Sequence, residues 1–153
     1  MPKKIIQLYI SAADRKTTKN SAGCALIENG RNSHQWLVAN EGDAARTEVA
    51  VLLKAITDIA NRNPGAEVEV FASRRTAVAG IYLNEHSRPR YSSLVDGDVW
   101  KHIMAICKMK GVTLSCYSDT ISPNARQAFR QANAYCHKER QGILTSRRLM
   151  GMK

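Results

Sequence analysis

Acidic residues, paired cysteines and long apolar runs are what this sequence has least of, and each shortage removes a class of function. Thirteen Asp and Glu stand against 23 Lys and Arg, for a formal net charge of +10 and a pI near 9.8. That balance favours a polyanionic partner, nucleic acid or an acidic membrane surface. Cys24, Cys107, Cys116 and Cys136 are scattered, with no Cys-x-x-Cys spacing and no His at zinc-ligand distance from a cysteine pair. A zinc module is therefore excluded, and buried reduced thiols in a cytoplasmic protein are the expectation. No apolar run approaches membrane-spanning length, and Met1-Pro2-Lys3-Lys4 leads into the first strand without a signal-peptide hydrophobic region, so no membrane association is expected. There is no internal repeat and no low-complexity tract. At 153 residues the chain fits one core that needs no disulfide or metal staple. The division expected is a single domain over residues 1–140 and a basic C-terminal tail over residues 141–153.

What is present is alternation and helical periodicity in a readable order. Residues 5–14 alternate large apolar with small or polar side chains and run into Asp14-Arg15-Lys16-Thr17-Thr18-Lys19-Asn20, a strand followed by a basic hairpin turn. Residues 22–28 and 34–39 read as two more strands around the turn Asn29-Gly30-Arg31-Asn32, which makes an antiparallel meander. Over residues 47–60, Val49, Leu52, Leu53, Ile56 and Ile59 fall on one helical stripe, which Asn63-Pro64-Gly65 ends. Residues 68–73 form a fourth strand, 74–83 a short helix and 84–95 a loop. Asp98 predicts an N-cap for a helix over 99–109 that Gly111 closes, and 112–117 is a fifth strand. Ser122 caps and Pro123 opens a last helix over about 125–137, with a loosely ordered tail containing Arg147 and Arg148 beyond it. The fourth and fifth strands are reached by helical crossovers and so run parallel to the first in a mixed sheet. Their carboxyl ends then face one crevice, with Ser11, Ser73, the 116–119 segment and Glu48 around it.

This order resembles that of type 1 ribonuclease H and its relatives over about residues 3–137. The most specific likenesses are Arg46-Thr47-Glu48-Val49, similar to the family's Arg-x-Glu-Leu at the start of the first helix, and Asp98-Val99-Trp100, similar to its Asp-x-Trp opening a later helix. From Asp98 through Tyr117 to Asn124 the spacing looks like the family's without a gap. The resemblance implies an α/β fold, a five-stranded mixed sheet flanked by helices on both faces. It also implies, in active members, four carboxylates holding two divalent metal ions that activate water and steady the leaving oxygen in phosphodiester cleavage. Carried over position by position, only Glu48 survives. Ser11 stands at the first-strand aspartate, Ser73 at the fourth-strand aspartate, Ala128 about at the last-helix aspartate and Ser118 near the flexible-loop histidine. Hydroxyls and a methyl do not replace the charge of three carboxylates that magnesium requires. The expectation is a pseudoenzyme with no catalytic residues, no metal and no cofactor.

Arg74 and Arg75 follow Ser73 at a helix start, where cations are unfavourable unless an anion compensates, and phosphate is the anion this suggests. Arg46 matches a family position beside the substrate, although Ala44 and Ala45 replace the asparagines that read the sugar edge. Lys16 and Lys19 on the first hairpin, with Arg88, Arg90 and Tyr91 in the central loop, extend a basic track in which Tyr91 is available to stack on a base. Arg126 and Arg130 on the last helix add phosphate contacts. Trp100 reads as core, and the four histidines have no ligand or catalytic spacing. The function expected is sequence-nonspecific nucleic-acid binding through a basic crevice. RNA, as a single strand or an RNA–DNA hybrid, is the partner the resemblance implies; charge alone would allow DNA. Two other readings stay open: a metal-dependent ribonuclease with relocated carboxylates Asp14, Glu48 and Asp119, and a protein-interaction module on the same scaffold.

Overall fold

The computed structural model describes residues 4–15, 20–29 and 32–149; Lys16, Lys19, the tip of the second turn and residues 150–153 lie outside them. Strand β1 (Ile5–Arg15) follows its alternation: Ile6, Leu8 and Ile10 are buried toward one face of the sheet and Ala13 toward the other. It pairs antiparallel with β2 (Asn20–Asn29), which pairs antiparallel with β3 (Asn32–Glu41). β4 (Glu67–Ala72) lies parallel to β1, and β5 (Thr113–Ser118) lies parallel to β4. The sheet order is β3-β2-β1-β4-β5. This is the mixed five-stranded sheet that helical crossovers require.

α1 and α3 start ahead of the positions their apolar spacing suggests. α1 (Ala44–Arg62) begins three residues ahead of its expected start at residue 47 because Asp43 Oδ1 accepts the Arg46 N–H at 2.9 Å. Glu48, expected in its first turn, is therefore its fifth residue. α2 (Arg74–Glu85) follows β4 directly. The expected loop after it contains a single 3-10 turn, Tyr91–Ser93. α3 (Gly97–Lys110) starts before the expected cap: Asp96 holds the cap position in the left-handed region, φ 59°, and Asp98 falls in the first turn. Gly97 sits so close under the Tyr91 carbonyl that a Cβ would overlap it. Gly111, φ 68°, closes the helix as expected. α4 (Pro123–Leu149) runs well past residue 137, so the segment read as a loose tail continues as helix to residue 149. That segment is rich in Lys, Glu, Arg, Gln and Leu and has no proline, which suits a helix.

α1, α2 and α3 contribute to one core on one face of the sheet, where Trp100 is 1% exposed as its spacing suggested. On the opposite face Ala128 and Ala132 of α4 pack on Ala13, Cys24 and Leu26. All four cysteines are free and buried, and burial pushes Cys24 and Cys116 up to about 12 and Cys107 to about 11. No helix among the described residues is long and apolar enough to cross a membrane.

α2 approaches β5 at Gly80, where an added Cβ would collide with Cys116 Sγ and lie 2.7 Å from its Cβ. Gly80→Ala should therefore destabilise the protein by about 1–3 kcal/mol despite the better helix propensity of alanine. Urea unfolding read at a tryptophan band checks this; an unchanged or raised midpoint would mean that α2 can move off β5 freely.

Candidate functional site

The site grows from one side chain. Glu48 projects from the buried stripe of α1 and is 6% exposed. Its Oε1 accepts the backbone N–H of Ser73 at 3.1 Å and the Ser73 hydroxyl at 2.9 Å, and Thr76 adds a third hydrogen bond. Ser73 holds the N-cap position of α2 but makes no side-chain cap to its own helix, and α2 has no acid in its first turn. Glu48 fills both needs from α1: it satisfies a donor that a helix start leaves open and sets a carboxylate at the positive end of the helix dipole. One anion that offsets Arg74 and Arg75 is thus part of the protein, beside the phosphate that their position suggests. Burial raises the Glu48 pKa; the bonds from Thr76 and Ser73 and the charge of Arg75 oppose it.

The positions around Glu48 carry hydroxyl and methyl groups. Ser11 and Ser73 each lie two residues beyond the paired Tyr9 and Phe71, so they stand at one level, Ser73 just past the end of β4 and Ser11 within β1, which runs on to Arg15. Ser118 is exposed and pairs with Ala72 at the end of β5. Ala128 is not on the crevice rim: it is 0% exposed inside the contact of α4 with β1 and β2, because the helix needs a small residue there to lie on the sheet. Asp14 is exposed and paired in register with Ser21. Asp119 Oδ1 accepts the N–H groups of Ile121 and Ser122 at 3.0 Å each, and the Ser122 bonds lower its pKa first. It shapes the turn into α4. Among the described residues no three His, Cys, Asp or Glu side chains group closely enough to hold a metal ion, so Asp14, Glu48 and Asp119 are not assembled into one site.

The basic candidates divide into struts and free ends. Arg46 is a strut: its Nη2 donates to Asp98 Oδ2 at 2.8 Å, and its Nη1 donates to Asp98 Oδ1 at 3.2 Å and Asp96 Oδ1 at 3.0 Å. The guanidinium lowers the Asp98 pKa and fastens α1 to the start of α3, so the expected phosphate contact is already taken by two carboxylates. Arg88 and Arg90 are exposed but follow the far end of α2, roughly 16 Å of helix axis from Arg74. Tyr91 is partly buried and packs against the main core, and burial raises its phenol pKa. Arg130 donates to Gln127 Oε1 through Nε and Nη2, and Arg126 is exposed in the first turn of α4. Arg74 is exposed without a hydrogen-bond or ion-pair partner among the described residues, and Arg75 is exposed beside Glu48. α2 and α4 both start at the carboxyl ends of the parallel strands, so Arg74, Arg75 and Arg126 emerge at one end of the sheet. Thr76 and Asp96 were missed from sequence; the spacing Ser73-x-x-Thr76 at a helix start was the available signal for the first.

No protein-family model matches the sequence, and no curated protein matches it. Solved structures do match. LC11-RNase H1, in complex with an RNA/DNA hybrid, aligns at TM-score 0.62 and 17% identity over 83% of this chain and 95% of its own. LC9-RNase H1, a type 1 RNase H with the type 2 active-site motif, aligns at TM-score 0.66 and 11% identity over 90% of this chain and 74% of its own. The N-terminal RNase H domain of a Mycobacterium tuberculosis protein aligns at TM-score 0.66 and 11% identity over 92% of this chain and 99% of its own. The chain has the ribonuclease H fold.

A carboxyl whose folded pKa is raised contributes stability while protonated and loses that contribution as pH rises through the folded value. Glu48→Gln keeps an oxygen acceptor for Ser73 and cannot ionise. Its unfolding free energy should therefore gain on that of the wild type as pH rises from the ordinary carboxyl range through the raised folded value, read from paired urea titrations. A constant difference would show that burial does not dominate at Glu48.

Proposed function

We propose that this ribonuclease H fold binds nucleic acid without cutting it. One observation carries the reading: Glu48, the one acid left of the four the resemblance implies, is buried against Ser73 and Thr76, with exposed Arg74 and Arg75 beside it. A metal pair is held by converging anionic oxygens, and two serines and two guanidinium groups supply none. The same guanidinium groups suit phosphate, to which they donate in a planar fork. Arg126 extends the cationic edge to the start of α4. The reading assigns Arg46 and Tyr91 no contact with the ligand, because both are engaged within the protein.

The structural neighbour solved with an RNA/DNA hybrid supports RNA, single-stranded or in a hybrid, as the partner. Binding through backbone phosphates makes sequence preference slight and salt dependence steep.

The test is a titration against labelled single-stranded RNA, RNA–DNA hybrid, and single- and double-stranded DNA, with magnesium, manganese or chelator, reading shift and cleavage together. RNA and hybrid should bind equally well in chelator and stay intact. Arg74→Glu with Arg75→Glu should weaken binding on the order of 100-fold, as loss of two charge-assisted contacts implies. Cleavage that chelator and Glu48→Ala both abolish would overturn the silent site. Absence of any binding at about 0.1 M salt would overturn nucleic acid as the partner in favour of an acidic protein.

A further inference from the structure

Tyr9, Phe71 and Tyr117 stand in one row across β1, β4 and β5. The register pairs Tyr9 with Phe71 and Phe71 with Tyr117, so parallel pairing sets all three on one face of the sheet. Their rings form a continuous stack: centroids 4.7 Å apart with planes at 15° for Tyr9 and Phe71, then 5.4 Å and 23° for Phe71 and Tyr117. Tyr9 packs against the cluster under α4, which draws on β1, β2, β3 and α4 but on no residue of β4 or β5. The stack thus begins beneath α4 and emerges at Tyr117, which is 45% exposed on the last strand of the sheet. Among the described residues no ring other than Phe71 contacts Tyr117, and no strand lies beyond β5.

We propose that the outer ring face of Tyr117 is a stacking site for one unpaired nucleobase, which continues the series of three rings as a further layer. This rests on the nucleic-acid reading above and sharpens its ligand class: a strand that offers at least one unstacked base, not a fully paired duplex. A flat aromatic ring is the shape that extends such a stack, and every base has one.

The surrounding charge favours a strand as occupant. Phe71 precedes Arg74 by three residues, so the arginine pair begins at most about 10 Å beyond the row, within reach of a nucleotide whose base lies on it. The nearby acids lie elsewhere or are engaged: Glu69, on the opposite side of the row from Arg74, accepts from Gln7 at 3.4 Å, and Asp119 holds the turn into α4. A phosphate is therefore drawn to the arginine side while its base meets Tyr117.

The experiment uses the full chain and two RNA single strands of equal length and phosphate count, one uridine-rich with a single 2-aminopurine and one with abasic sugars. The wild type should bind the base-bearing strand about ten-fold tighter, equivalent to about 1.4 kcal/mol, and quench 2-aminopurine fluorescence. Tyr117→Leu should erase both the difference and the quench while leaving abasic affinity unchanged. Tyr117→Phe should retain both, and matched thermal melts confirm that each variant is folded. Arg74→Glu with Arg75→Glu should weaken both strands together. A base-dependent difference that survives in Tyr117→Leu overturns the stacking site while nucleic-acid binding stands. A wild type that binds neither strand overturns both. A dimer that Tyr117→Leu dissolves, with no base-dependent difference, assigns the face to a second copy and also overturns the proposal.

Discussion

The carboxylate of Glu48 under the first turn of α2 is the contact on which the working end of this fold depends. Burial of an acid is unfavourable unless donors converge on it. Here the Ser73 N–H, the Ser73 hydroxyl and Thr76 do so, with Arg75 adding charge. The arrangement joins α1 to the junction between β4 and α2 and decides how α2 can begin. A helix whose first two residues are arginines, with no acid in its first turn, is poorly matched to its own dipole until an acid from another helix is placed there.

That placement also sorts the positive charge. The excess of basic side chains is not uniform in role: Arg46 is locked between Asp96 and Asp98, and Arg62 is paired with Asp58 one helical turn away. Arg74 and Arg75 stand exposed at the carboxyl ends of the parallel strands, the end at which open α/β sheets present their ligand sites. The same topology brings the aromatic row to that end, since parallel strands in register carry equivalent positions at equal height. A cationic rim and a ring stack then lie within a few residues of each other without any special local sequence.

Much of the architecture was legible because it depends on local periodicity. The alternation of Ile6, Leu8 and Ile10, the stripe from Val49 to Ile59, the stop at Gly111 and the core role of Trp100 are properties of short segments. Helix starts were less legible because single residues define them: the Asp43 side-chain cap drew α1 forward, and the left-handed backbone of Asp96 sets the start of α3 without a side-chain cap. α4 outran its expected end because a polar, basic segment carries no apolar period to announce it. That Ala128 and Tyr91 pack inward was not legible, for a shared reason. Position along an element does not reveal whether a side chain meets the crevice or the core, and one residue of rotation on a helix decides it.

By itself the sequence determined the order of elements, the mixed sheet that crossovers impose, the basic charge, and the scarcity of carboxylates at the strand ends. These are local or additive quantities. Only the tertiary structure decided which charges are free, which acid balances the start of α2, and that Tyr9, Phe71 and Tyr117 form one stack. Each of those rests on contacts between residues far apart in the chain, such as Ser73 with Glu48, 25 positions away, and Tyr9 with Phe71, and long-range partners are chosen by packing geometry that no single segment contains.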